Sequence, residues 1–167
     1  MKNQKTPQPV TTERLKASLR GEIQLPGDKS ISHRSFILSA LAVGTSKIQG
    51  LLECEDVLAT GKAMQAMGAQ TVRQADGTWE VTGRGVSGLT TPDEALDFGN
   101  SGTGIRLTLG AMTGCPVTAK CVGDESLSRR PMGRVTEPLE QMGAVFEFHG
   151  VARGQLPLTL TLSLIHI

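Results

Sequence analysis

A repeated pattern of helices and strands constrains the fold of this 167-residue chain more than any other feature. The tripeptide Met-Gly-Ala occurs at residues 67–69 and again at 142–144, each time between a run with helical spacing and a run that suggests a strand. A glycine directly after a helix is a common helix end. The tripeptides therefore predict the same helix-to-strand junction in two copies of one unit.

The spacing of apolar residues divides each copy into six elements. In the first copy we predict strands at 22–25 and 46–52, helices ending at Gly44 and Gly68, and a hairpin of 70–73 with 78–81. In the second copy we predict strands at 96–98 and 116–122, helices ending at Gly114 and Gly143, and strands at 145–148 and 156–160. This order predicts an α/β fold with two βαβαββ units. The alternative is an ordinary open α/β sheet in which the two tripeptides are a coincidence.

Charge and composition exclude several classes of protein. The formal net charge is +1, whereas broad nucleic-acid binding needs a strongly basic face. No apolar run reaches the ~20 residues that span a bilayer, and residues 1–8 lack the apolar core of a signal peptide. Cys54, Cys115 and Cys121 lack metal-site spacing and are expected to be small packing residues. We therefore expect a cytoplasmic protein that binds neither nucleic acid, membrane nor metal.

The first of three candidate sites lies between Leu25 and Arg34, where a Pro-Gly turn leads into a predicted helix. Lys29 brings a point charge, Ser30 can cap the helix, and Arg34 lies on the same helical face as Ser30. Free N–H groups, the positive helix end and two cations favour a phosphate or carboxylate ligand. The alternative is a capping serine beside solvated basic residues. His33 is interpreted as a structural residue.

The second candidate site lies in the glycine-rich stretch 97–106. Asn100 and Thr103 can donate hydrogen bonds to a ligand, and Gly102 leaves room for a ligand to approach the backbone. The alternative is a strand-to-helix turn that needs glycine for its conformation. Arg106, one turn into the helix, either reaches the ligand or supports the turn.

The third candidate site, residues 126–134, contains three arginines and no acidic residue. Arg130 directly precedes a proline suited to the first turn of the next helix, so Arg130 is expected at the start of that helix. The alternative is an exposed basic turn. Each cluster alone is weak evidence, but three at the helix starts of a repeated unit predict binding of anionic ligands.

Three stretches of this chain, residues 25–34, 97–107 and 123–135, resemble the EPSP synthase (3-phosphoshikimate 1-carboxyvinyltransferase) family in sequence and in order. The resemblance implies transfer of the enolpyruvyl group of phosphoenolpyruvate to the 5-hydroxyl of shikimate 3-phosphate, with release of phosphate, in aromatic amino acid biosynthesis. It also implies a monomeric enzyme with small-molecule substrates, without metal or organic cofactor, and inhibition by the phosphoenolpyruvate mimic glyphosate.

The resemblance assigns roles to individual residues of this chain. It implies that Lys29 is catalytic and contacts both substrates, and that Ser30 and Arg34 bind shikimate 3-phosphate. It further implies that Gly102 and Arg130 bind phosphoenolpyruvate, with Asn100 close by.

The family architecture implied by the resemblance is an inside-out α/β barrel of six βαβαββ units in two domains. Two units would be present here, in a partial first domain at 21–161. Residues 1–20 would belong with the absent second domain and be partly mobile, and residues 162–167 would form a non-native tail. The family's catalytic acidic residue and a second lysine are missing, so the chain alone is expected to be inactive.

Two alternatives to this assignment remain. One is the UDP-N-acetylglucosamine enolpyruvyl transferase, which shares the fold but has Lys-Asn in its opening motif, where this chain has Asp-Lys-Ser at 28–30. The other is a non-catalytic anion-binding module, which would need the helix-start sites but no second domain.

Overall fold

The computed structural model of this protein describes residues 11–12, 18 and 20–161. Its helices and strands are α1 (Lys29–Leu41), β1 (Val43–Ile48), α2 (Glu55–Ala66), β2 (Gln70–Arg73), β3 (Trp79–Arg84), β4 (Leu96–Asp97), α3 (Gly102–Met112), β5 (Ala119–Val122), α4 (Glu125–Ser128), α5 (Gly133–Gln141), β6 (Val145–Phe148) and β7 (Leu158–Thr161). The predictions made for residues 1–10, 13–17, 19 and 162–167 lie outside the described residues.

Each copy of the repeat forms its own sheet. The first sheet has the order β1-β3-β2 with antiparallel pairs, and the second has the order β4-β5-β7-β6. In the second sheet, β4 and β5 are parallel, and the other pairs are antiparallel. The strands β1, β3 and β2 therefore correspond in position and direction to β5, β7 and β6. This shared order is the structural form of the sequence repeat.

The two Met-Gly-Ala tripeptides end α2 and α5 in the same way. The N–H of Ala69 donates to Met64 O at 3.1 Å, and the N–H of Ala144 donates to Leu139 O at 2.9 Å. The two glycines have φ values of 100° and 101°, a conformation that glycine adopts without steric cost. Both junctions are thus Schellman motifs, which turn the chain from the helix into the following strand.

The predicted strand at 22–25 is wrong. Its backbone pairs with no other strand among the described residues, and Leu25 is 78% exposed. The corresponding strand of the second copy, β4, pairs with β5 and places Leu96 in the core at 3% exposure. The difference follows from burial, because no apolar surface covers Leu25 and pairing there would bury little apolar area.

The predicted strand at 46–52 is displaced in the structure. β1 begins at Val43 and ends at Ile48, since its register is set by pairing Val43 with Arg84 and Ile48 with Trp79. Gly44, predicted as the helix end, lies inside this strand with a φ of 94°, and α1 already ends at Leu41.

A single cluster of buried side chains connects the helices with both sheets. α1 packs against α2 and α3, and Phe36, Met64 and Leu109 of these helices have no exposed surface. The same cluster continues to Cys121 and Leu158 in the second sheet. This common core fixes the starts of the helices relative to one another. No helix in the described ranges is both long and apolar enough to cross a membrane.

Candidate functional site

The first candidate site forms where α1 begins. Asp28 caps this helix, because its Oδ1 accepts a hydrogen bond from the N–H of Ile31 at 2.8 Å. The predicted cap at Ser30 is therefore wrong, and Ser30 is the second residue of the helix. Arg34 lies one turn later and donates from Nη1 to Ser30 O at 3.0 Å, so the two residues share a face as predicted.

The Lys29 ammonium is held by an acidic residue from another helix. Its Nζ forms an ion pair and hydrogen bond with Asp56 Oδ2 in the first turn of α2. The hydrogen bond that Lys29 donates to Asp56 raises the pKa of Lys29, although partial burial opposes the shift. Lys29 is therefore positively charged at neutral pH, and its side chain is directed toward the start of α2.

The second and third candidate sites meet through Asn100. Its Nδ2 donates to both carboxylate oxygens of Asp124, at 3.0 and 2.8 Å. Its Oδ1 accepts a hydrogen bond from Arg130 Nη2 at 2.5 Å. The structure thus joins two clusters that lie about thirty residues apart in the sequence, and Asn100 connects them.

Asp124 also organises the chain just before Arg130. Its Oδ1 accepts from the N–H of Leu127 at 2.7 Å and caps the short helix α4, which the sequence patterns did not predict. The hydrogen bond from Leu127 and that from Asn100 hold the pKa of Asp124 below its usual value. Arg130 follows α4, and α5 begins only at Gly133, so the predicted position of Arg130 directly at the start of α5 is wrong.

Gly102 lies under two guanidinium groups. A Cβ atom at this position would lie 2.9 Å from Arg106 Nη1 and 3.1 Å from Arg130 Nη1. Arg106 donates to Gly102 O at 2.9 Å and to Pro131 O at 3.0 Å. These contacts favour the structural role for Arg106 over ligand binding, because they connect the start of α3 with the segment before α5.

The first halves of α1, α2 and α3 meet at Thr60. His33 of α1 hydrogen-bonds through Nδ1 to Thr60 Oγ1 of α2 at 2.8 Å. A Cβ atom on Gly104, the third residue of α3, would lie 2.5 Å from the same Thr60 oxygen. Since Thr60 contacts the first half of both α1 and α3, the Lys29–Asp56 pair and the Gly102 turn are neighbours.

Two of these connections could not be found in the sequence. Asp56 lies in the first turn of α2, where an acidic residue is favourable by itself, and nothing in its spacing links it to Lys29. Thr60 lies inside α2 without any motif around it. Both contacts depend on how the helices pack, which local periodicity does not determine.

We predict that His33 makes the protein less stable at acidic pH. Its side chain is fully buried, and burial together with the positive charge of Lys29 lowers its pKa below 6.5. Between these two pKa values, the unfolded chain binds a proton at His33 that the folded chain does not. The stability contributed by neutral His33 is therefore complete above about pH 6.5. It is lost as the pH falls through the pKa of His33 in the folded protein. Urea unfolding measured at several pH values checks this expectation.

A matched pair of variants isolates the effect of His33. His33→Gln is expected to flatten the fall in the free energy of unfolding below about pH 6.5, whereas the same change at the exposed His149 leaves that fall in place. Equal pH dependence in the wild type and in His33→Gln contradicts the prediction.

The described residues contain no group of three histidine, cysteine or acidic side chains placed to hold a metal ion. Cys115 and Cys121 are buried, and burial raises the pKa of Cys121 to about 12, whereas Cys54 is half-buried. Cys115 and Cys121 therefore fit the expected packing role.

Comparison with known proteins identifies the family. The family model described as EPSP synthase (3-phosphoshikimate 1-carboxyvinyltransferase) matches residues 14–166. The chain belongs to the EPSP synthase family. This confirms the resemblance found in the three sequence motifs.

Individual relatives agree with the family model. The 3-phosphoshikimate 1-carboxyvinyltransferase of Parvibaculum lavamentivorans is 60% identical over 144 residues, which are 86% of this chain and 32% of the relative. The protein of the same name from Ruegeria sp. is 55% identical over 155 residues, 93% of this chain and 34% of the relative. The chain thus spans about a third of the length of these curated relatives.

Most of this chain has the same fold as part of a solved EPSP synthase from Acinetobacter baumannii. The TM-score is 0.79 at 41% identity, and the match covers 86% of this chain and 32% of the other. The predicted α/β fold class is confirmed by this match.

Proposed function

We propose that the protein containing this chain transfers the enolpyruvyl group from phosphoenolpyruvate to the 5-hydroxyl of shikimate 3-phosphate. C3 of phosphoenolpyruvate gains a proton, the hydroxyl oxygen forms a bond to C2, and the hydroxyl loses its proton. The tetrahedral intermediate then loses phosphate and a proton from the former C3, which restores the double bond. The products are 5-enolpyruvylshikimate 3-phosphate and phosphate.

One observation carries this proposal: Thr60 of α2 lies against the first halves of both α1 and α3. The helix that begins at Lys29 and the helix that begins in the joined cluster of Asn100, Gly102 and Arg130 are therefore neighbours. Both proposed substrates carry several negative charges. A fixed ammonium, a guanidinium and two helix starts can hold such substrates side by side and stabilise charge that shifts in the transition state.

The proposed roles divide the substrates between the two parts of the site. Ser30 and Arg34 bind the phosphate of shikimate 3-phosphate, and Lys29 contacts both substrates. Gly102 and Arg130 bind phosphoenolpyruvate, and Asn100 fixes the Arg130 guanidinium through its Oδ1. In this proposal the acceptor lies over α1 and the donor lies over α3.

The proposed reaction requires a second domain in addition to the residues described above. We propose that residues 21–161 form two units of the first domain and that residues 1–20 belong with a second domain. The chain alone is then inactive, because the proton donor and acceptor lie on that second domain. A cytoplasmic, monomeric enzyme remains the expectation for the whole protein.

A chimera tests the proposed function. Residues 21–161 of this chain replace the matching segment of the Parvibaculum lavamentivorans relative, which is 60% identical. Phosphate release from phosphoenolpyruvate and shikimate 3-phosphate is expected from the chimera within about tenfold of the unmodified relative, and none is expected from the 167-residue chain alone. UDP-N-acetylglucosamine is offered as a competing acceptor. A folded chimera that turns over neither acceptor supports a non-catalytic module and overturns the proposal.

We predict that Gly102→Ala weakens inhibition of the chimera by glyphosate. The added methyl group would lie about 3 Å from the Arg106 and Arg130 guanidiniums, so it takes space beside the proposed phosphoenolpyruvate site. The inhibition constant is expected to rise about tenfold, which corresponds to about 1.4 kcal/mol of binding free energy, while the KM for the smaller substrate rises less.

Inhibition kinetics with phosphoenolpyruvate as the varied substrate measure both constants. Gly110→Ala is the control, because a Cβ atom there meets open space on the outer side of α3. An unchanged inhibition constant in Gly102→Ala rejects the prediction.

A further inference from the structure

Asp124 is connected to the proposed phosphoenolpyruvate site through a single side chain. Both of its carboxylate oxygens accept from Asn100 Nδ2, at 3.0 and 2.8 Å. On its other side, Asn100 accepts through Oδ1 from Arg130 Nη2 at 2.5 Å. These three side chains form a series of carboxylate, amide and guanidinium, which we call the Asp124 relay. A residue without a proposed substrate contact is thus linked to a cation that is proposed to bind one.

The two ends of the Asp124 relay allow only one orientation of the amide between them. Hydrogen bonds from Leu127 and Asn100 hold the pKa of Asp124 below its usual value, so Asp124 is ionised at neutral pH. An ionised carboxylate only accepts hydrogen bonds, and a guanidinium only donates them. The Asn100 amide must therefore direct its NH₂ group to Asp124 and its oxygen to Arg130. An amide turned the other way would present a donor to the guanidinium and lose the contact.

The amide also separates the two charges of the relay. Among the ion pairs of the described residues, none includes Arg130. Its Nη2 is held by the neutral oxygen of Asn100, and its Nη1 lies 3.1 Å from the position that a Cβ atom on Gly102 would take. A carboxylate in direct contact with the guanidinium would oppose its attraction for an anionic ligand. The relay thus fixes the cation without a carboxylate in contact with it.

We propose that Asp124 is a positioning residue for phosphoenolpyruvate binding, because it orients the Asn100 amide that holds the Arg130 guanidinium beside Gly102. The identity of the ligand rests on the proposed function, whereas the relay is a property of the folded chain. A side chain that is ordered before the ligand arrives loses less entropy on binding. The effect of Asp124 is therefore expected in the KM for phosphoenolpyruvate and not in kcat, since contacts that are equal in the ground state and the transition state change KM alone.

Asp124→Asn separates this role from the cap of α4. Asparagine caps helices as well as aspartate does, so its Oδ1 still accepts from the N–H of Leu127. Its NH₂ group, however, faces the NH₂ group of Asn100, and Asn100 is expected to turn and release Arg130. In the chimera, the KM for phosphoenolpyruvate is expected to rise about fivefold, the effect of ordering one long side chain on binding. The kcat and the KM for shikimate 3-phosphate are expected to change by less than about twofold.

NMR of the 167-residue chain provides a second readout, which does not depend on activity. Rotation of the Arg130 guanidinium about its Nε–Cζ bond is expected to be slower in the wild type than in Asp124→Asn, because only the wild type holds Nη2. The backbone amide signal of Leu127 reports the cap of α4 and is expected to remain in place in the variant. A structural role of Asp124 limited to this cap would leave the rotation rate of Arg130 unchanged.

Asp76→Asn is the matched control. Asp76 is also an exposed carboxylate that accepts from a backbone N–H, that of Thr78 at 2.9 Å, but it lies in the turn between β2 and β3 of the other sheet. This variant loses the same charge and is expected to change neither the KM for phosphoenolpyruvate by more than about twofold nor the rotation of Arg130.

An exchange of the two side chains, Asn100→Asp together with Asp124→Asn, tests the need for a neutral amide next to Arg130. The exchange again places a donor opposite each acceptor, but the carboxylate then contacts the guanidinium directly. Slow rotation of Arg130 is expected to return, whereas the KM for phosphoenolpyruvate is expected to stay raised, because the cation is now paired.

The outcomes separate the Asp124 relay from the proposed function. An unchanged KM for phosphoenolpyruvate in Asp124→Asn, an equal rise in Asp76→Asn, or a KM restored by the exchange overturns the proposal. An inactive chimera, in a protein whose Arg130 still rotates faster after Asp124→Asn, rejects the proposed function and retains the relay. An active chimera with equal Arg130 rotation in the wild type and Asp124→Asn rejects only the relay.

Discussion

Lys29→Met in the chimera is expected to lower kcat/KM for phosphate release by about 10³-fold. The substitution keeps an unbranched side chain of similar length and removes the charge. Loss of one fixed group that stabilises developing charge typically costs 10²–10³-fold in rate, and the proposed contact of Lys29 with both substrates places its effect at the upper end. Initial-rate kinetics with each substrate varied in turn measure the change.

The Asp56 contact explains why the lysine itself should matter. Asp56 fixes the ammonium across the gap between α1 and α2, so the charge is oriented before substrate arrives. Asp56→Asn removes the negative partner but keeps a hydrogen-bond acceptor, and is expected to reduce kcat/KM less than Lys29→Met does. The lower kcat/KM is expected with either substrate varied, because Lys29 is proposed to contact both of them.

Lys62→Met is the matched control for this experiment. Lys62 is an exposed lysine of α2 that lies beside a different pocket, with Phe36 and Trp79 among its lining residues. Removing its charge is expected to change kcat/KM by less than about twofold, since exposed single charges contribute little. A loss of less than tenfold in Lys29→Met would show that the lysine is not catalytic.

The sequence was most informative where local residues determine the hydrogen bonds of the backbone at a helix end. The Met-Gly-Ala tripeptides predicted two helix ends, and both form the same hydrogen-bonded motif with a left-handed glycine. Helix boundaries depend on such local hydrogen bonds, so a short motif is sufficient to predict them. The same holds for α3, whose cap Ser101 lies within the glycine-rich stretch singled out as a helix start.

Prediction from the sequence failed where contacts with distant parts of the chain determine the local structure. The alternation at 22–25 matches a strand as well as that around Leu96 does, but only Leu96 is covered by the core. The cap of α1 is Asp28 rather than Ser30, although both residue types favour that position and lie two residues apart. Such choices between equivalent local patterns depend on tertiary packing.

In the candidate site, too, the sequence indicates the individual binding residues but not the contacts between them. The clusters around Lys29, Asn100 and Arg130 were chosen from charge and glycine content at helix starts, and the structure joins the last two directly. The acids that hold these side chains, Asp56 for Lys29 and Asp124 for Asn100, carry no signal in the sequence, because their partners are distant along the chain. Residue chemistry indicates which side chains can bind an anion, but the fold determines which of them act together.

A large loss of stability is expected from Gly83→Ala. Gly83 lies in β3, where the strand passes against the C-terminal end of α1, and the N–H of Gly85 donates to Ala42 O at 3.1 Å. A Cβ atom at Gly83 would lie 2.2 Å from both Ser39 O and Ala42 O. These atoms belong to the backbone, so no change of side-chain rotamer relieves the overlap, and α1 must move away from the sheet.

We expect this movement to lower the free energy of unfolding by about 3 kcal/mol, a large part of the ~5–15 kcal/mol that stabilises a typical domain. Urea unfolding followed by the fluorescence of Trp79 measures the loss, because Trp79 is the single tryptophan and packs against Phe36 of α1 at 5.3 Å. Gly110→Ala is the control of opposite sign. It adds the same methyl group in open space within α3 and is expected to stabilise the protein by about 0.5–1 kcal/mol through helix propensity. A loss below about 1 kcal/mol in Gly83→Ala would mean that α1 and β3 can separate at little cost.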